Sequence, residues 1–229
     1  MTTYKISLAE AATYISNLLN ELPLRPIAQN IALGGTFGLP SLPNQSNKGI
    51  MFWYNLERNA SGNDKVFAVF QTYIDPLGNV GNVLPVGSNQ LFQPDETFTY
   101  NGSTYDVATI ENYISGHSTN NTPASSNITK QEVEDNIDTL VQYLPKDSNG
   151  IIYNNRVHLF FEADDSFGDF YDLLTQNSSV AGFRYYLGLD KSTPIPNNRI
   201  RLIMVAVDGN GANIINSANP IFMQRGHPK

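Results

Sequence analysis

The sequence predicts an α+β fold built from two related units in tandem, each a capped helix followed by an antiparallel β-hairpin sheet. Three observations point there. S/T-x-x-E capping boxes at Ser7/Glu10 and Thr129/Glu132 each open a run of apolar residues at helical spacing. Two stretches, 49–78 and 182–211, each hold two apolar runs flanking a polar loop, and each closes on a turn, at Asp75 and Asp208. These two stretches align with each other without a gap.

In the first helix Leu8, Ala11, Ala12, Ile15, Leu18, Leu19 and Leu22 form one stripe, which Pro23 ends. Residues 23–48 are rich in Gly and Pro and read as irregular, with one short strand near 30–33. Ile50, Phe52, Tyr54 and Leu56 then share one face of a strand, and Met51, Trp53 and Asn55 the other. Residues 58–64 make the loop and 67–74 the return strand. Residues 97–105 read as a small hairpin turning at Asn101-Gly102. Asp106 caps a short helix through Ile114. Val133, Ile137, Leu140, Val141 and Leu144 form the stripe of the second long helix, ended by Pro145. Residues 151–161 read as strand, 166–176 as a short acidic amphipathic helix, and 214–229 as an extended or frayed tail.

The alignment places Gly49 on Gly182, Trp53 on Tyr186, Leu56 on Leu189, Asp75 on Asp208 and Gly78 on Gly211. Cap, proline stop, hairpin length and closing turn agree, so the chain reads as an internal duplication. The first repeat is residues 1–114, with a hairpin/helix appendix over 80–114. A Ser/Asn/Thr-rich linker covers 115–127, and the second repeat with its tail covers 128–229. The repeats either stay separate or pack about a pseudo-twofold axis into one body.

Three short motifs carry a family resemblance: Ile6-Ser7-Leu8-Ala9-Glu10-Ala11, Gly182-Phe183-Arg184-Tyr185-Tyr186, and Val205 to Gly211 with its V-D-G-N core. They resemble an uncharacterised family of small α+β proteins from Bacteroidetes bacteria. That family shows an I-S/T-x-x-E-A helix start, a G-I/F-R/K-x-Y/F-Y/F strand and a closing V-D-x-x-G-N strand. The resemblance spans about half to two thirds of the chain and implies a fold but no activity. The first repeat departs from it, with Met51 where the arginine belongs and Pro76 after the aspartate.

Composition narrows the function. Of 229 residues, 41% are hydrophobic, enough for a large core, and only 15% are charged, against a usual share of about 25%. The net charge of −7 argues against nucleic acid and against an anionic membrane surface. Absence of cysteine removes disulfides, thiolate nucleophiles and Cys-based metal sites. With neither a signal peptide nor a membrane-spanning run, the expected location is cytoplasmic.

Groups able to catalyse are few. His117 falls in the polar linker and His227 in the tail, which leaves His158, on a strand, beside the acidic cluster Glu162, Asp164, Asp165, Asp169 and Asp172. That cluster reads better as the cap and solvated face of a helix. Asp208-Gly209-Asn210-Gly211 lacks the glycine register and the closing glutamate of a calcium loop and reads as a turn. Gly34-Gly35-Thr36-Phe37-Gly38 lacks the Lys-Ser/Thr of a phosphate loop and reads as a flexible turn.

Aromatics are abundant, with 12 Tyr and 12 Phe. Phe183, Tyr185, Leu187 and Leu189 read as the core face against the capped helix. Trp53 in one repeat and Tyr186 with Arg184 in the other occupy the opposite face. That face either packs on another layer of the chain, forms a repeat or subunit interface, or stacks a ligand.

The leading expectation is a non-enzymatic structural or protein-interaction protein, acting through sheet faces and edges, with a protein partner or a homo-oligomer. The alternative is a small-ligand or carbohydrate-binding module using Trp53, Arg184, Tyr185, Tyr186 and His158. A hydrolase using His158 with an acidic residue ranks last. No cofactor and no metal are expected.

Overall fold

The computed structural model describes residues 5–21, 34–38, 49–58, 65–73, 90–91, 105–119, 130–143, 158–162, 179–191, 199–216 and 221–223. In chain order these form β1 (Lys5–Ile6), α1 (Leu8–Leu19), β2 (Gly35–Gly38), β3 (Gly49–Arg58), β4 (Lys65–Tyr73), β5 (Gln90–Leu91) and α2 (Val107–Gly116). There follow α3 (Lys130–Tyr143), β6 (His158–Glu162), β7 (Gly182–Asp190), β8 (Arg199–Val207), β9 (Asn213–Ile214) and β10 (Ile221–Met223). Every strand pairing is antiparallel, so the described residues make an α+β fold, as the sequence predicts. The predicted strand near 30–33, the hairpin over 97–104, the helix over 166–176 and the Thr129 cap lie outside the described residues.

The capping box starts α1. Ser7 Oγ accepts the Glu10 amide at 3.2 Å, and Glu10 Oε2 accepts the Ser7 amide at 2.9 Å. The helix buries Ala11, Ala12, Ile15, Leu18 and Leu19. Each of the larger three stabilises the fold by about 1.5–3 kcal/mol relative to exposure. It ends at Leu19, with Asn20 as its C-cap. Asn20 Nδ2 donates to the Tyr105 carbonyl at 2.9 Å, and Asn20 Oδ1 accepts the Tyr105 amide at 3.1 Å. Ser16 Oγ donates to the same carbonyl at 2.6 Å. Tyr105 immediately precedes Asp106, the N-cap of α2, whose carboxylate accepts the Thr109 amide at 2.8 Å. The end of α1 therefore sets where α2 begins, and the two helices pack together.

One sheet runs β1-β10-β8-β7-β2, with β9 added beside β8; the other runs β5-β4-β3-β6. The tail, expected to be extended or frayed, is extended where it is described: Ile214 pairs with Ala206, and Phe222 with Met204, so it contributes to two strands of the first sheet. The reason is burial: Ile221 is 1% exposed.

All nine residues of β7 are buried, so both its faces are covered. Its helix-bearing face is not the predicted one. A Cβ at Gly188 would run into Tyr14 of α1. The helix therefore crosses the face of Arg184, Tyr186 and Gly188, where the missing side chain leaves room. Phe183, Tyr185, Leu187 and Leu189 fill the other face and are fully buried. Beyond the helix, Arg201 bridges to Asp190 at 2.9 Å and Lys191 to Glu21 at 2.7 Å, fastening the end of β7.

The two hairpins share one register. At the offset that sets Gly49 on Gly182, the pair Ile50↔Tyr73 falls on Phe183↔Ala206, Trp53↔Phe70 on Tyr186↔Ile203, and Leu56↔Phe67 on Leu189↔Ile200. Leu56 and Leu189 are both fully buried. Each hairpin takes one strand and one helix from the other half of the chain. β7 pairs with β2 and carries α1, both N-terminal; β3 pairs with β6 and carries α3, both C-terminal. Arg184 pairs with Thr36, and Met51, at the aligned position of the first hairpin, pairs with Phe160.

Candidate functional site

Where α2 ends, the chain meets the turn after β8. Thr119 N donates to the Gly211 carbonyl at 3.2 Å, and Asn213 N to the His117 carbonyl at 3.0 Å, flanking a bridge between Ser118 and Ala212. Asp208 shapes that turn. Its Oδ1 accepts the Asn210 amide at 2.8 Å and the Ala212 amide at 2.9 Å. These bonds favour the charged form and hold the carboxyl below its ordinary value, the Ala212 amide contributing most. Gly211 supplies the left-handed φ of 78° that the turn requires. The predicted turn is thus confirmed: its carboxylate is occupied by its own loop.

Into this junction projects Arg184, with no exposed surface. Nη2 donates to the carbonyls of Gly211 at 2.8 Å and Thr119 at 3.0 Å. Nη1 donates to Asn213 Oδ1 at 2.5 Å and, more weakly, to the His117 carbonyl at 3.4 Å. Taking a guanidinium out of water is costly, and these aligned oxygen dipoles offset that cost. The Asn213 amide continues the network, donating from Nδ2 to the Ile114 carbonyl at 2.6 Å and to the Tyr186 hydroxyl at 2.7 Å. His117 Nδ1 lies 2.9 Å from the same hydroxyl. Tyr113 packs on the His117 ring at a centroid distance of 4.8 Å.

Gly34 closes the cluster. Its φ is +111°, and a Cβ there would approach Arg184 Cδ, His117 Cε1 and Tyr186 Cε1 to 3.0 Å each. Gly34 and Gly35 are buried. The reading of this glycine segment as a flexible turn is corrected: Gly34 is packed on the cluster, and Gly35 begins β2.

The structure places the sequence-derived candidates as follows. Arg184 and Tyr186 meet in the cluster, while Tyr185 lies on the opposite face of β7; all three are fully buried. None offers a surface on which a sugar stacks. Of the three roles weighed for that face, packing against another layer of the same chain is the one observed for Tyr186. Trp53 and His158 are register partners on β3 and β6. Their side chains, and residues 163–178 with most of the acidic cluster, lie outside the described residues.

His117 departs from its expected place in the polar linker: it is buried, 4% exposed. The signal was present: Ile110, Ile114 and His117 continue one helical stripe past the polar composition of Ser115-Gly116. Asn213 and Gly34 carried no such signal.

Chemically, the cluster joins segments. Its donors point at oxygens of three different parts of the chain, and its hydroxyl and imidazole lie inside. Among the described residues no group of three or more His, Asp or Glu is placed to hold a metal ion, and no helix is long and apolar enough to cross a membrane. The chain matches no protein-family model, no curated protein and no solved structure.

Proposed function

We propose that this chain is a non-enzymatic structural protein whose two related helix–strand–hairpin repeats, 1–114 and 128–229, associate by exchanging elements. The observation carrying this reading is reciprocity. Each hairpin takes a strand and a helix from the other repeat. Strand addition and helix docking are both recurring ways in which one chain recognises another. Here both serve association of like with like.

The Arg184 cluster supports the same reading. The residues behind the Bacteroidetes resemblance, Arg184, Asp208 and Gly211, meet at one junction and bond to one another's segments. A motif used this way is a signature of architecture. The first repeat carries Met51 and Pro76 in the corresponding places, as a diverged copy would.

The test is native mass measurement of protein purified from its own source, over a range of concentrations. Assembly, or a co-purifying protein, is the expected result. A strict monomer at high concentration with nothing bound rejects the proposal.

A further inference from the structure

We infer that the partner which this chain is built to accept is a second copy of itself, taken up by exchanging N-terminal and C-terminal halves between two molecules. The inference rests on the structural reading above and goes further by naming the partner and the surface. The surface is made of the contacts that already join the halves: β2 on β7, β1 on β10, β6 on β3, α1 on β7 and α3 on β3. To these the Arg184 junction adds bonds from β7 to the carbonyls of His117 and Thr119.

None of these contacts depends on the two halves belonging to one molecule. They are noncovalent, and the halves are joined in sequence only through residues 120–129, NNTPASSNIT. An exchanged dimer, with the first half of each copy on the second half of the other, keeps every pairing and has closed twofold symmetry. Only the route of that connection differs. The balance is then set by concentration. A connection of only ten residues keeps the halves of one molecule close together, so dilute folding favours the closed monomer and concentrated folding the dimer. Interconversion requires three sets of strand pairs and two helix contacts to open together. Whichever form folds first therefore persists.

The reciprocity explains why a second copy fits best. Each half gives a strand and a helix to the other and takes a strand and a helix from it, β2 with α1 in one direction and β6 with α3 in the other, so a second copy offers every element that this surface accepts.

The chain has no cysteine, which makes a direct test clean. Met51 and Phe160 are register partners from opposite halves, and antiparallel partners lie at a separation that a disulfide spans. The full-length M51C/F160C variant is unfolded in urea, refolded at low and high concentration, oxidised, and examined by native mass and by denaturing gels without reductant. A second pair at neighbouring register, F52C/L159C, guards against a variant that folds poorly. At high concentration the mass is expected to double from 25.3 kDa, with the disulfide joining two chains. At low concentration the mass stays single and the disulfide lies within one chain. Dimers whose disulfide remains within each chain overturn the inference and leave the assembly reading standing, since the copies then meet by another surface. Monomers at every concentration overturn the inference; if no partner co-purifies from the source either, the assembly reading fails with it.

Discussion

Gly188 and Tyr14 set how closely α1 can approach the sheet. A Cβ on Gly188 would stand 2.6 Å from Tyr14 Cβ and 2.9 Å from Tyr14 carbonyl carbon. Neither is the far end of a flexible side chain, so the helix itself must move. Gly188→Ala is therefore expected to destabilise the protein by about 1–3 kcal/mol, the usual cost of overpacking a core. That lowers Tm by about 2–4 °C per kcal/mol in a chain of this size. A second substitution, Tyr14→Ala, does not rescue it, because alanine keeps both offending atoms. Thermal and urea unfolding of the single and double variants check this; recovery in the double variant rejects the packing argument.

Arg184 holds the junction on which the two halves meet. Arg184→Met keeps the volume and removes the donors. The carbonyls of His117 and Gly211 keep their backbone donors, Asn213 N and Thr119 N, whereas Thr119 O and Asn213 Oδ1 lose the guanidinium. A buried acceptor left without its donor costs about 1–3 kcal/mol, so a loss on the order of 3 kcal/mol is expected. Arg184→Lys restores little, since one ammonium nitrogen cannot span the positions of both Nη atoms. Hydrogen exchange locates the effect: the Thr119 and Asn213 amides should lose protection ahead of the β7–β8 ladder. Uniform loss across the sheet contradicts a local role.

The sequence revealed local features well. Ser7 and Glu10 announced α1 because both halves of a capping box lie within one turn, and Asp106 announced α2 as an N-cap residue directly before an apolar stripe. The hairpins were legible from period-two alternation, and their alignment foretold their common register. Partnership was not legible. Nothing near Thr36 says that it pairs with Arg184, because antiparallel pairing is made by backbone groups that every residue carries. The helix-bearing face of β7 was misread because the apolar face was assumed to meet the helix. Gly188, an absence of side chain, decided the matter. His117 was lost to its polar neighbours, and Arg184 found backbone carbonyls, which leave no mark in sequence.

The Tyr186 hydroxyl couples to the His117 ring. It accepts a hydrogen from Asn213 Nδ2, whose other hydrogen goes to the Ile114 carbonyl. It also lies 2.9 Å from His117 Nδ1. A hydroxyl both donates and accepts, so this bond ties the tautomer of the neutral ring to the orientation of the hydroxyl. Nitrogen chemical shifts of the ring distinguish the two tautomers directly. Tyr186→Phe removes both bonds, should cost about 1–2 kcal/mol, and should shift the tautomer ratio of His117. A tautomer ratio unchanged in Tyr186→Phe contradicts the coupling.

Two carboxylates tie stability to acidity. Asp106 is held below its ordinary value of 3.8, first by the Thr109 hydroxyl and then by the Thr109 amide; Asp208 is held below the same value by the Ala212 and Asn210 amides. In both cases the unfolded chain binds the proton more readily than the folded one. Their contribution is therefore complete above the unfolded value and is lost as pH falls through the lower folded value. Unfolding midpoints in urea should fall steadily on acidification below about pH 4. Asn at both positions keeps a side-chain carbonyl for the same amides but does not titrate, so the D106N/D208N variant should show a shallower acid limb. The two sites also differ in reach. Asp106 secures only the start of α2, whereas Asp208 shapes the turn that presents the Gly211 carbonyl to Arg184. Acid should thus expose the Thr119 amide to exchange in the wild type and in D106N, and much less in D208N. Equal acid slopes in the double variant and the wild type reject the linkage. Equal Thr119 exchange in D208N and the wild type separates Asp208 from the junction.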